Sequence, residues 1–158
     1  MKKTVIISAF PGCGKTTAYI KLKNKIDVLD SDSSLFDKKD FPKNYIEHIK
    51  EKIGKVDIIF VSSHQVVRNA LKENNIHFSI YYPSKKRKSE MLELYKQRGN
   101  NEDFIYFLDN HFDFFIDNIE KEDVSGLKIR LENEGDFILT DDYFKNLLNT
   151  IKNEKTSK

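Results

Sequence analysis

The run Ala9-Phe10-Pro11-Gly12-Cys13-Gly14-Lys15-Thr16-Thr17 constrains this chain more than any other stretch of it. It follows an apolar segment, Val5-Ile6-Ile7-Ser8, and leads into Ala18-Tyr19-Ile20-Lys21-Leu22, which suits a helix. A strand, a tight glycine-bearing loop and a helix opening on Gly-Lys-Thr form the Walker A pattern. Consecutive backbone N–H groups and a helix N-terminus make a concave anion site there. The strict pattern begins with Gly; Ala9 stands in its place, at a position where ordinary backbone angles suffice. Gly12 and Gly14 fall where backbone must approach a phosphate with no Cβ in the way. Pro11, Gly12, Cys13, Gly14, Lys15, Thr16 and Thr17 are therefore the candidates to cradle ATP phosphates. Lys15 would bridge the terminal phosphates, and the Thr16 hydroxyl would sit on Mg²⁺. A chance glycine-rich turn is the bland alternative, and it leaves the flanking strand and helix unexplained.

The 158 residues fit one domain, 1–158, with a substantial core. A formal net charge of +2 is too small to argue for nucleic-acid binding by itself. Cys13 is the only cysteine, so no internal disulfide forms, and a reducing, cytoplasmic setting is expected. Its place inside the loop is better read as a tolerated small residue than as a redox site. No apolar run approaches the roughly 20 residues that span a bilayer, so no membrane partner is expected. The basic start Lys2-Lys3 precedes an apolar run too short for a signal peptide.

Periodicity divides the remainder. Lys3–Ala9, Ile26–Asp30, Val56–Val61, Phe78–Tyr82 and Leu127–Leu131 read as strands, with Phe137–Thr140 a further strand beyond a Gly135 turn. Thr16–Lys25, Phe41–Ile53, Gln65–Glu73, Ser84–Arg98 and Glu102–Glu120 read as helices, with Asp40 capping the second and Asn101 the last. Asp141 caps a closing helix, and Lys152–Lys158 is expected to fray. On Glu102–Glu120, Ile105, Leu108, Phe112, Phe115 and Ile119 share one face. Phe104, Phe107 and Phe114 widen it, which predicts that the face is well buried. Strands alternating with helices predict an α/β protein: a mostly parallel five-stranded sheet with helices on both faces and a small helical lid at about 84–100. Ligands of such sheets bind at the carboxyl ends of the strands, so polar residues just after a strand are the site candidates.

Three groups meet that condition. Asp30-Ser31-Asp32-Ser33-Ser34 follows the second strand. Its two carboxylates suit either acceptance of a proton from an attacking hydroxyl or support of a metal, against the plain alternative of a solvated Asp/Ser turn. Ser62-Ser63-His64 follows the third strand, where an Asp would ordinarily support Mg²⁺. Ser63 and His64 are candidates to touch the acceptor, or His64 merely caps the next helix. The missing acid strengthens the case that Asp30 or Asp32 serves the metal, with Thr16 and Asp30 the first candidates to hold it. The third group is Lys85-Lys86-Arg87-Lys88 with Lys96 and Arg98. Arg87 and Arg98 suit the charge that builds on a transferring phosphoryl group, whereas the lysines read as a solvated face. A nucleic-acid edge, with Tyr81 and Tyr82 as stacking surfaces, is a weaker reading of the same cluster. His48, His77 and His111 show no metal-ligand spacing.

The loop, the turn Leu29-Asp30-Ser31-Asp32, the absent acid after the third strand and the basic helix together resemble small P-loop kinases. The carboxylate turn is similar to that of polynucleotide kinase, zeta-toxin and adenylylsulfate kinase types. In that resemblance Asp32 matches the general base and the basic helix matches the arginine-delivering lid of nucleoside monophosphate kinases. Tyr82-Pro83 through Arg98-Gly99-Asn100, the aromatic helix and Glu134-Gly135-Asp136-Phe137-Ile138-Leu139 look like small kinases encoded by phages and their hosts. The resemblance implies a three-layer P-loop fold and an ATP- and Mg²⁺-dependent phosphotransferase acting on a nucleoside or (deoxy)nucleotide. Its alternatives are a kinase of nucleic-acid ends or modified DNA bases, and a nucleotide-binding regulatory module. The Ser62-Ser63-His64 stretch departs from the Asp-Arg or Glu-Arg pair of thymidylate and deoxynucleoside kinases, so the acceptor stays unassigned.

Overall fold

The computed structural model describes residues 2–156. Five strands, β1 (Val5–Ala9), β2 (Val28–Asp30), β3 (Ile58–Ser62), β4 (Ser79–Pro83) and β5 (Lys128–Leu131), form one sheet in the order β2-β3-β1-β4-β5. Every pairing is parallel. The helices are α1 (Lys15–Leu22), α2 (Lys43–Lys52), α3 (Gln65–Glu73), α4 (Lys88–Gln97), α5 (Glu102–Lys121) and α6 (Asp142–Thr156). The fold is thus α/β with an all-parallel sheet.

β1, β3 and β4 are covered on both faces, which explains their near-continuous apolar runs. Right-handed crossovers direct α1, which carries the chain from β1 to the β2 edge, to the face opposite α2, α3 and α5. α6 returns to the α1 side, where Phe144 packs on Phe60 of β3. With β1 central, the loop after it opens at the middle of the carboxyl edge, between the loops that follow β3 and β4.

Several expectations need correction. Phe137–Thr140 is no strand: Ile138–Thr140 is a 3₁₀ turn, because the Ile138 N–H donates to the Cys13 carbonyl at 3.0 Å and draws the segment onto the loop after β1. Ser84–Arg98 is not one helix but a 3₁₀ turn, Lys85–Arg87, followed by α4. α2 opens at Lys43 without a side-chain cap, so Asp40 does not serve as one. α6 continues to Thr156 instead of fraying, since Ile151 is buried and Lys155 pairs with Asp57 at 3.0 Å; residues 157 and 158 lie outside the described residues.

The largest correction concerns α5. Its buried line is Leu108, Phe112, Ile116 and Ile119, while Phe104, Phe107 and Phe114 are 36%, 48% and 61% exposed. A 20-residue helix runs about 30 Å and a five-residue strand about 17 Å, so α5 overhangs the sheet and a wide apolar face finds cover only in part. Among the described residues no helix is long and apolar enough to cross a membrane.

Candidate functional site

The loop after β1 turns on two left-handed glycines, Gly12 at φ +87° and Gly14 at φ +95°, and α1 begins at Lys15. Among the described residues the amides of Gly12, Gly14, Lys15, Thr16 and Thr17 donate to no carbonyl or side chain. Five free N–H groups around one turn form an anion nest. Thr16 and Thr17 are exposed on the first turn of α1. Packing against the loop also demands the glycines. A Cβ on Gly12 would lie 2.7 Å from Met91 Cε and 2.9 Å from Tyr95 Cε1, and one on Gly14 would lie 3.3 Å from Phe137 Cβ. Helix α4 and the 137–138 segment therefore press on the loop from outside. The Tyr95 hydroxyl adds a bond to the Pro11 carbonyl at 2.6 Å. Cys13 is 1% exposed, and burial pushes its thiol up to about 12, which makes it inert at neutral pH.

The acid turn meets this loop. Lys15 Nζ lies 3.5 Å from Asp30 Oδ1, an oxygen buried without a hydrogen-bond partner. Asp32 Oδ1 accepts from the Ser34 N–H at 2.9 Å and the Ser34 hydroxyl at 2.7 Å. Burial alone would raise the Asp32 carboxyl, but Ser34, Lys15 and His64 outweigh it and hold it below the usual carboxylate range.

Tyr45 of α2 shapes the turn. The Ser31 N–H donates to the Phe60 carbonyl, extending the β2–β3 ladder by one bond. At the next rung a parallel ladder would have the Ser62 N–H donate to the Ser31 carbonyl. Instead the Tyr45 hydroxyl stands between them, donating to Ser31 O at 2.6 Å and accepting from Ser62 N at 3.2 Å. One phenol oxygen thereby splays the strand ends and seats Asp30 and Asp32 beside the loop. The Ser31 hydroxyl is also bonded to His48 Nε2 at 3.1 Å.

The third group closes the site. The Ser62 hydroxyl accepts from the His64 N–H at 3.2 Å, and Arg68 Nη1 holds the Ser63 carbonyl at 2.8 Å. Arg68 is anchored in turn by Glu122 beyond the end of α5, Nε to Oε2 at 2.9 Å. Burial, Lys15 and Arg68 depress the His64 imidazole against the pull of Asp32, so it is neutral at neutral pH. Lys15, Asp30, Asp32, Ser63 and His64 are thus gathered at the carboxyl edge.

The basic segment is used differently from the expectation. Arg87 is 4% exposed. Its Nε and Nη2 bind both Glu90 oxygens, at 2.7 and 2.8 Å, and Nη1 holds the carbonyls of Leu131 and Asp136 at 3.1 and 2.9 Å. Its guanidinium also lies over the Phe137 ring, 5.4 Å from the centroid. With every face occupied it ties β5 and the 136–137 segment to α4 and does not reach into the cleft. Lys85, Lys86 and Lys88 pair with Asp117, Glu132 and Asp109. The segment expected as a lid is a helix docked on the loop through Met91 and Tyr95, both fully buried. Arg98 stays exposed at its end; burial raises the Tyr95 phenol well above its ordinary value, and the Arg98 charge opposes that rise.

Tyr45, Arg68 and Tyr95 were missed in the sequence. Each sits at ordinary core spacing on a helix, and nothing local distinguishes its polar tip. No family model matches this chain, and no curated protein matches it.

Proposed function

We propose that the chain is an ATP- and Mg²⁺-dependent phosphotransferase of the P-loop kinase type, with a nucleoside or (deoxy)nucleotide as acceptor, acting in the cytoplasm. The all-parallel sheet with β1 central is compatible with a three-layer P-loop fold. One observation carries the proposal: an amide nest headed by Lys15 stands against two carboxylates at the carboxyl edge of the sheet. Anion site and acid pair are the two halves of phosphoryl transfer from a donor to a hydroxyl.

The metal fits this site. The orphaned buried Asp30 Oδ1 and the exposed Thr16 hydroxyl are hard oxygen donors, and Mg²⁺ uses few protein ligands beside phosphate and water. When bound, it neutralises phosphate oxygens of the donor. The loop amides from Gly12 to Thr17 bind and orient the phosphates, and Lys15 offsets charge on the transferring group. Asp32, ionised at neutral pH, orients the acceptor hydroxyl and takes its proton. The hydroxyl oxygen bonds to the γ-phosphorus, the bond from that phosphorus to the bridging oxygen breaks, and ADP leaves. Neutral His64 offers a hydrogen bond to acceptor or phosphate without adding charge. Arg98 remains the arginine free to approach the phosphates, a role Arg87 cannot fill.

The pairing of Lys85, Lys86 and Lys88 with acids removes the main support for a nucleic-acid acceptor. Labelled ATP with nucleosides, nucleotides and oligonucleotides is the test. Lys15→Ala should reduce transfer by orders of magnitude, and Asp32→Asn by about 10²–10⁴-fold. ATP binding with none of these acceptors labelled refutes the kinase reading.

A further inference from the structure

Two carbonyls of the loop after β1 are held from outside by neighbouring elements. The Tyr95 hydroxyl of α4 donates to the Pro11 carbonyl at 2.6 Å, and the Ile138 N–H donates to the Cys13 carbonyl at 3.0 Å. Each carbonyl shares a peptide plane with the amide of the glycine that follows it. Both peptides are trans, so the C=O and N–H of each plane point in opposite directions. Holding the Pro11 carbonyl toward Tyr95 therefore turns the Gly12 N–H away from α4. Holding the Cys13 carbonyl toward Ile138 turns the Gly14 N–H away from that segment. Among the described residues neither glycine amide has a partner, whereas the Cys13 N–H between them donates to the Phe10 carbonyl at 3.2 Å. The two glycine amides are thus the loop's own share of the nest, ahead of those at the start of α1.

The brace from α4 is firm. Tyr95 and Met91 are fully buried one turn apart on the same helix, and a Cβ on Gly12 would come within 2.9 Å of both side chains. The Tyr95 ring also meets Phe104 of α5 edge-on at 6.0 Å. α4 itself is fixed at its start, where Arg87 grips the Leu131 and Asp136 carbonyls and Lys88 pairs with Asp109. Burial keeps the proton on the Tyr95 phenol, so the hydroxyl stays a donor. Without that donor the Pro11–Gly12 peptide has a second orientation open to it. Glycine tolerates a flipped plane about as well as the observed one, and the flip would present a carbonyl to an incoming anion.

Resting on the reading of this loop as the site for donor phosphates, we infer that Tyr95 is a positioning residue for the donor. Its hydroxyl fixes the Pro11–Gly12 peptide so that the Gly12 amide is aimed at the phosphates before they arrive. α4 is then a fixed brace for the nest and not a lid that must close on it. A site set in advance binds more tightly because no group has to reorient.

The experiment uses the full chain as parent, Tyr95→Phe and Tyr81→Phe. Tyr81→Phe is the control: it removes an equally buried phenol bond, to Asp141 Oδ2 at 2.7 Å. ATP with Mg²⁺ and inorganic pyrophosphate are titrated by calorimetry at 15 °C, and amide NMR spectra are recorded with pyrophosphate. Tyr95→Phe should weaken both ligands about 5- to 100-fold, at most the loss of one hydrogen bond to a charged group. In labelled-ATP turnover the ATP KM should rise in proportion, with kcat within threefold. In the parent, pyrophosphate should shift both the Gly12 and Gly14 amide protons. In Tyr95→Phe the Gly12 shift should shrink while the Gly14 shift persists, since the Ile138 contact is untouched. Tyr81→Phe should lower Tm with both Kd values within twofold. Unchanged affinities in Tyr95→Phe, equal loss of the Gly12 and Gly14 shifts, or a Tyr81→Phe variant that weakens ATP as much would each overturn the inference. A parent chain that binds neither ATP nor pyrophosphate would defeat the donor-site reading on which it rests. ATP binding with no acceptor labelled would defeat the kinase reading alone, and the Kd comparison would still decide the role of Tyr95.

Discussion

Tyr45→Phe isolates the oxygen that splays β2 from β3. Tyr45 is 0% exposed, so its ring stays in place when the hydroxyl goes. Two hydrogen bonds vanish, to Ser31 O at 2.6 Å and from Ser62 N at 3.2 Å. A typical bond contributes about 0.5–1.5 kcal/mol, and a buried main-chain group left unpaired costs about 1–3 kcal/mol. The strand ends can close partway to pair Ser62 with Ser31 directly, which recovers some of this loss. The net expectation is about 2–4 kcal/mol, or a Tm lowered by about 4–16 °C for a domain of this size. Urea unfolding should show a lower midpoint with an unchanged slope. Closure or loosening of the turn also moves Asp30 and Asp32, so kcat should fall about tenfold while the ATP Kd changes less than twofold. A Tm within 1 °C of the parent would refute the bridging role. A clear loss of stability with kcat intact would refute the link from the bridge to the acids.

Arg87→Met should lower stability by about 2–4 kcal/mol, since Glu90 and two carbonyls lose their donors, yet leave kcat within about threefold at 15 °C; a catalytic loss exceeding tenfold in a folded protein would return Arg87 to the reaction. Gly12→Ala combines about 1–2 kcal/mol of left-handed strain with a clash against Met91 Cε at 2.7 Å. The double variant with Met91→Ala should be less destabilised than the sum of the two, and strict additivity in denaturation would contradict the clash. His64 is depressed in the folded protein, so below about pH 6.5 the unfolded chain binds more protons and stability falls with pH. His64→Gln should flatten the Tm decline between pH 7.5 and 5.5; an unaltered decline would show that His64 titrates normally.

Much of the candidate site was legible because its signals are local. The Gly12–Thr17 loop needs positive φ at set positions, and Gly12 and Gly14 adopt it. Asn101 accepts from Phe104 N at 2.8 Å and Asp141 from Phe144 N at 3.1 Å, as the two helix starts implied. Asp30, Asp32 and His64 follow strands, and a parallel sheet brings all such positions to one edge. Arg87 was misread because an arginine at a strand end looks the same whether it faces a phosphate or Glu90. The partners that decide, at Leu131 and Asp136, are more than forty residues away.

By itself the sequence determined the five sheet strands, the parallel sheet and the glycine-bearing loop after β1, since periodicity, turn residues and caps act over a few residues. Only the tertiary structure decided what each element touches. It exposed Phe107 and Phe114 because α5 outruns the sheet, fastened α4 to Gly12 through Met91 and Tyr95, and set the Tyr45 hydroxyl between two strands. Those outcomes depend on contacts between residues far apart in the chain, which hydrophobic periodicity does not encode.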